Sequence, residues 1–283
     1  MSSKRTRLFS GIALSALLFL FATSEYAAAQ GDLLITPRRA VFEGQTRSLD
    51  LNLANIGKDT TRYSISMVQV RMKDDGNFEI ITEPDPGQRF ADRFIRVFPR
   101  SVILGPNETQ IVKLQLIRTS ELQPGEYRSH LYFRATPEQV PLGEEQKVKD
   151  TTTLTVQLTP IFGMAIPVII RSGESDAKVT ISDISLATPA DSYPLLKFTL
   201  NRTGNMSVYG DITVDHVSPE GITTRIGVAS GVAVYTPNAI RKFQLPLGKA
   251  SGVDMKSGKL KLYYSAPSDV KAARYAEVEI PIK

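Results

Sequence analysis

Side chains able to do covalent or metal chemistry are scarce in this chain of 283 residues, which has no cysteine and only two histidines, His130 and His216. The missing thiols rule out a cysteine nucleophile, a disulfide framework and thiolate metal ligands, and two histidines do not make up the common zinc ligand sets. A Ser-His-Asp arrangement needs a histidine beside a nucleophile on a sharp turn. Both histidines fall instead in strand-like runs, His130 in Tyr127 to Phe133 (YRSHLYF) with Arg128 on its own face. The carboxylate pairs Asp74-Asp75 and Glu144-Glu145 lack the alternating oxygen ligands and closing Glu of a calcium loop and read as solvated turns. Asn107-Glu108-Thr109 has the form of a glycosylation acceptor and nothing more. The expectation is a non-enzyme with no cofactor, no metal and no small-molecule substrate.

The stretch with the strongest pattern is Leu154 to Ile170 (LTVQLTPIFGMAIPVII). Its even positions, Leu154, Val156, Leu158, Pro160, Phe162, Met164, Ile166, Val168 and Ile170, form an apolar row, while the odd positions are polar, small or imino except Ile161 and Ile169. Period-two alternation marks an extended strand with one buried face. A strand usually spans about five or six residues. A row this long must cross between domains or offer part of its face to something outside the chain.

At the amino terminus Lys4, Arg5 and Arg7 precede an apolar run, Leu8 to Ala22, that ends in small residues at Ala27-Ala28-Ala29. This is a secretory signal pattern, shorter than the ~20 residues of a membrane span, so residues 1–29 are expected to be removed. Removal takes three of 34 Lys+Arg and one of 29 Asp+Glu, leaving 31 against 28 and a net charge of +3. The charges are interspersed, which gives no electrostatic support for a nucleic-acid or anionic-membrane partner.

The remaining chain reads as strands throughout. Leu33 to Ile35, Arg39 to Phe42, Ser48 to Ala54, Arg62 to Met72, Phe78 to Ile81, Phe94 to Leu104, Thr109 to Leu116 and Tyr127 to Ala135 are separated by turn residues. Within Arg62 to Met72 the apolar phase switches after Met67, which suggests a bulge or a strand that leaves one sheet for another, and Ile111-Val112 suggests a further register change. Pro99 must sit at an edge or a break. Helical spacing is confined to one turn near Thr119 to Leu122, and Thr136 to Asp150 has the composition of a mobile loop. After Ser172 to Asp176 come seven more runs: Lys178 to Leu186, Leu195 to Asn201, Val208 to His216, Thr223 to Val228, Ile240 to Leu245, Leu260 to Ser265 and Ala276 to Ile282. The pattern predicts an all-β protein of two immunoglobulin-like sandwich domains, residues 30–171 and 172–283, after the signal peptide.

Ile35-Thr36-Pro37-Arg38-Arg39-Ala40-Val41-Phe42-Glu43-Gly44, followed by Leu49 to Asn55, resembles the opening pattern "P-x-R-x-V-F-x-x-G…L-x-(I/L)-x-N" of the PapD-like periplasmic pilus chaperones. Phe94 to Leu104 with Pro99, Gly105 to Leu116 and Gln123 to Ala135 fall in that family's order, so the resemblance spans most of residues 30–171. It implies a periplasmic chaperone that caps pilin-like subunits and passes them to an outer-membrane usher. The mechanism implied is strand addition, in which backbone pairing supplies affinity and alternate side chains supply register. Four lent side chains at ~1.5 to 3 kcal/mol each give ~6 to 12 kcal/mol before the cost of association.

The resemblance also implies site residues. Leu154, Val156, Leu158, Phe162 and Met164 match the donor strand, and Arg39 matches an arginine that anchors the subunit's terminal carboxylate. The family's donor-strand lysine has no counterpart: Leu154 to Ile170 holds no basic residue, Ala165 and Pro167 stand where it would fall, and Arg171 lies beyond the motif. Pro160 and Pro167 remove backbone donors and Gly163 weakens the strand. The row therefore can divide at Pro160, with Leu154, Val156 and Leu158 lent and Phe162 onward serving the protein's own core. The competing expectation is a two-domain structural or adhesive surface protein in which the whole row is buried.

Overall fold

The computed structural model describes residues 33–136, 161–187, 193–248, 253–267 and 273–282, and there the period-two pattern becomes strand almost throughout. Ten strands come first: β1 (Leu33–Thr36), β2 (Ala40–Phe42), β3 (Ser48–Asn55), β4 (Thr61–Met72), β5 (Phe78–Ile81), β6 (Ile95–Phe98), β7 (Ser101–Leu104), β8 (Thr109–Leu116), β9 (Gly125–Thr136) and β10 (Gly163–Ser172). Seven follow: β11 (Lys178–Ala187), β12 (Leu195–Thr203), β13 (Val208–Val217), β14 (Thr223–Val234), β15 (Ile240–Pro246), β16 (Lys259–Ser265) and β17 (Arg274–Pro281). Helical geometry among the described residues is limited to two 3-10 turns, Asp92–Phe94 and Thr119–Glu121, the second at the expected place.

The protein is all-β, with two immunoglobulin-like sandwiches. In the first, the sheet β1-β3-β8-β6 faces the sheet β2-β10-β9-β4-β5, in which β7 also pairs with β4. Leu51, Leu53, Val112 and Leu114 from one sheet meet Ile65, Leu131, Phe133 and Val168 from the other in one core. In the second, β11-β12-β15 faces β14-β13-β16-β17 around Leu196, Phe198, Leu200, Ile212, Val214, Leu260 and Leu262. Each such side chain contributes about 1.5 to 3 kcal/mol on leaving water. Both sandwiches lie within one compact unit, Leu33–Lys283.

Two expectations about phase are corrected. The switch in β4 is neither a bulge nor a move between facing sheets: pairing runs without interruption against β9 as far as Val68, then against β5 over Gln69 to Met72. Tyr63 and Ile65 point into the first core, whereas Met72 packs with Ala233 and Tyr235 of the second sandwich. The change of phase is a change of burial partner. In β8 there is no register change at all; β3 pairs with it continuously, Val112 and Leu114 are buried, and Ile111 points outward. Pro99 does sit in a break, where the chain leaves β6 in one sheet and enters β7 in the other.

The segment read as a signal peptide, residues 137–150 read as a mobile loop, and Leu154, Val156, Leu158 and Pro160 lie outside the described residues.

Candidate functional site

Strand β10 is where the apolar row enters the described structure, and its two edges differ. One edge is paired with β9 along its full length, Gly163 opposite Arg134 through Ser172 opposite Gly125. The other meets only β2, in parallel, and only at Val168 to Ile170. Over Gly163 to Pro167 no described strand pairs with this outer edge. The backbone orientation follows from one hydrogen bond: Ala135 N–H donates to Phe162 C=O at 2.9 Å. Antiparallel alternation then turns the even residues of β10 toward β9, so the amide groups of Gly163 and Ala165 face outward, with the carbonyl of Pro167. Proline is tolerated mid-strand here because the donor it lacks belongs to the open edge.

The side chains of the row change environment along the same strand. Ile166, Val168 and Ile170 are buried in the first core, yet Met164 is 39% exposed and Phe162 46%, although they project from the same face. The row does divide within the described residues, but between Met164 and Ile166, so Phe162 onward is not uniformly core as one reading of the sequence expected. Ile161 adds a further exposed apolar side chain, at 44%. Gly163 has a structural reason: the Tyr132 ring lies across its face and leaves no room for a Cβ.

Arg39 precedes β2, and the pairing of Ala40 with Val168 brings it beside Pro167, at the end of the open edge. Its guanidinium lies over the Tyr209 ring of the second sandwich, 3.7 Å from Cζ to the centroid. Nε is buried without a hydrogen-bond partner, and Arg39 makes no ion pair among the described residues. A half-buried guanidinium stacked on an aromatic ring, with its planar fork uncommitted, suits a carboxylate brought to this edge.

Arg171, four residues beyond Pro167, is committed elsewhere. Nη2 donates to Ser207 C=O at 3.1 Å, Nη1 lies 3.5 Å from the Glu43 carboxylate, and Nε stands 3.7 Å from Glu126, at ion-pair distance without a hydrogen bond. It ties β10 to the second sandwich.

That tie belongs to a buried polar joint that the sequence pattern did not reveal. The Glu126 side chain is fully buried and accepts from Arg128 Nη1 at 2.9 Å and from Ser207 N–H at 2.9 Å, with the Ser207 hydroxyl donating to the same carboxylate oxygen. Arg128, itself 3% exposed, also donates to Thr236 C=O and lies 3.9 Å over the Tyr235 ring. Burial pushes its guanidinium down from the usual range, against the attraction of Glu126. His130 packs edge-on to Phe78 and Tyr235, and burial, reinforced by Arg128, lowers it to about 4. Only a buried ladder of charge in YRSHLYF, with Glu126 just before it, hints at this in the sequence, because an ordinary two-faced strand would leave one of those faces in water. His216 is separate: it bonds Ser257 C=O at 2.9 Å on a strand of the second sandwich. Among the described residues no three His, Asp or Glu gather as a metal site.

No protein-family model matches the chain, and no curated protein matches it in sequence. Among solved structures it is similar to the class 5 fimbriae chaperone CfaA, at 14% identity and a TM-score of 0.43 over 89% of this chain and 99% of that one. It is likewise similar to the chaperone–tip adhesion subunit complex CsuC–CsuE of Acinetobacter baumannii, at 13% identity and a TM-score of 0.43 over 88% and 97%. A third likeness is to the Salmonella enterica SafA pilin in complex with the SafB chaperone, at 12% identity, with a TM-score of 0.43 over 88% of this chain and 95% of that one.

Proposed function

We propose that this chain is a periplasmic chaperone that holds pilin-like subunits by lending them a strand along the outer edge of β10 and yields them to an outer-membrane usher. The observation that carries the reading is the contrast along one face of one strand: Ile166 buried at 3% and Met164 exposed at 39%, beside an edge whose amides have no described strand partner. Such an edge is a liability unless something is meant to pair with it. The donor row is Leu154, Val156, Leu158, Phe162 and Met164, and Arg39 anchors the subunit's terminal carboxylate. Residues 1–29 direct export, residues 30–171 form the subunit-holding domain, and residues 172–283 brace it through the polar joint. Nothing in this scheme consumes a cofactor or breaks a covalent bond.

The test is co-expression with a candidate pilin-like subunit, followed by recovery of the pair from the periplasm. Met164→Asp and Leu158→Asp place a charge in the lent row, and Arg39→Ala removes the anchor. Each is expected to cut recovery at least about tenfold, equivalent to roughly 1.4 kcal/mol, without lowering the melting temperature. Undiminished recovery with all three variants overturns the reading.

A further inference from the structure

We propose that Tyr209, in the second sandwich, is a positioning residue for the carboxylate anchor: it holds the Arg39 guanidinium in one plane, so that a chain-terminal carboxylate meets it edge-on. The inference rests on the strand-lending reading and gives the second sandwich a part in recognising the subunit's end.

The geometry is a contrast between two arginines. Both come from the first sandwich and lie over tyrosine rings of the second, Arg128 over Tyr235 at 3.9 Å from Cζ to the centroid and Arg39 over Tyr209 at 3.7 Å. The two rings are neighbours: Tyr209 on β13 pairs opposite Ala233, two residues before Tyr235, and packs against the patch of Met72, Ala233 and Tyr235. There the likeness ends. Arg128 has Glu126 as its counter-ion and donates to Thr236 C=O as well. Arg39 makes no ion pair among the described residues, and its Nε is buried without a hydrogen-bond partner. A guanidinium held partly out of water with no anion of its own is a site for one from outside.

The Tyr209 ring is itself held. Its hydroxyl end abuts Gly231, where a Cβ would stand 3.0 Å from the hydroxyl oxygen, and Gly231 has a φ of +71°, in the left-handed region that favours glycine. Gly231 N–H donates to Asp211 Oδ1 at 2.9 Å, which pins the turn. The ring therefore has a fixed turn behind its hydroxyl and Arg39 over one face. Stacking uses the face of a guanidinium and leaves its N–H groups, which lie in the plane, for a carboxylate. A fixed plane also lowers the conformational cost of making two parallel hydrogen bonds. Because Ala40 pairs with Val168, this plane stands beside Pro167, where a strand lying along the open edge of β10 reaches the second sandwich.

The experiment uses the chain from residue 30 to 283 and a decapeptide of alternating leucine and serine, labelled with fluorescein at its amino terminus and ending in either a free carboxylate or an amide, read by fluorescence anisotropy. The free acid is expected to bind at least about tenfold more tightly than the amide. Arg39→Ala removes this preference. Tyr209→Leu and Tyr209→Met, which keep bulk without a ring, cut it to about threefold or less and leave binding of the amide unchanged, whereas Tyr209→Phe retains it. In an Arg39→Ala background Tyr209→Leu changes nothing further, because the tyrosine acts through the arginine. Thermal melts establish that each variant folds. Loss of the preference with Arg39→Ala but with neither Tyr209→Leu nor Tyr209→Met overturns the proposal and leaves the anchor standing. Equal weakening of acid and amide by the same two variants also overturns it, since that is the effect of a stack that only fastens the sandwiches. Equal binding of the two peptides by the wild-type chain, or binding of neither, overturns the anchor and this inference together.

Discussion

The carboxylate of Glu126, in the first sandwich, accepts both the backbone N–H and the hydroxyl of Ser207, in the second, through the same oxygen. Its other oxygen takes Arg128 Nη1. One buried anion thus satisfies a cation on its own strand and two donors across the joint. With Arg171 reaching Ser207 C=O and Asn238 Nδ2 donating to Met72 C=O at 2.7 Å, the sandwiches are joined by specific polar bonds as well as by contact.

Removing one charge of this set should cost more than removing both. Glu126→Gln leaves the Arg128 guanidinium buried without its counter-charge and is expected to destabilise the chain by ~3 to 5 kcal/mol, whereas Glu126→Leu with Arg128→Met should lose much less than the two single changes together. Urea titration of the four proteins measures this; additive losses would show that the pair does not act as a unit.

His130 predicts a pH dependence. Its folded-state value is depressed to about 4 from 6.5, so the folded chain refuses a proton that the unfolded chain accepts. Stability is present in full above about 6.5 and is lost as pH falls toward about 4, by roughly 3 kcal/mol if the whole shift is realised. His130→Gln should flatten the melting temperature across that window. A slope identical to wild type assigns the effect to other groups.

Neighbouring positions on one face of β10 should differ in kind. Ile166→Ala opens a cavity in the first core and is expected to cost ~2 to 5 kcal/mol, while Met164→Ala should fall within ~0.5 kcal/mol of wild type. Thermal melts of the two variants decide whether the boundary between core and open row lies between them.

Pro167 offers a gain-of-function change. Pro167→Lys restores an N–H on the outer edge and sets a second cation beside Arg39, and it should raise the fraction of subunit retained on dilution of the complex. Lower retention with an unchanged melt would mean that the proline, not a donor, is what a bound strand requires at this position.

Strand positions were legible because alternation is a local property. Seven strand runs were expected after Ser172 and seven are present among the described residues, and Pro99 was placed at a break because a missing donor has few tolerable sites. Phase was less legible. The apolar residues of β4 suggested a bulge, yet the strand is regular and its far end is buried by a different sandwich, which no single-strand pattern encodes. Ile111-Val112 looked like a slip because Ile111 is apolar, but it faces outward. Arg39 was singled out by a motif, and the structure places it beside Pro167 at the end of the open edge. Glu126, Arg128 and Ser207 carried no such signal, since pairing across 81 positions of sequence is a tertiary fact.

The change of partner along β4 has a mechanical consequence. One unbroken strand runs from the sheet that holds β9 and β10 to the patch where Met72 meets Tyr235, and its hairpin turn is fastened there by Lys242 N–H to Asp74 C=O at 2.6 Å. A tilt of the second sandwich would have to drag this rod with it. On the proposed reading, the open edge of β10 is presented from this bracket, and a subunit pairing with it would not spend binding energy on locking a hinge.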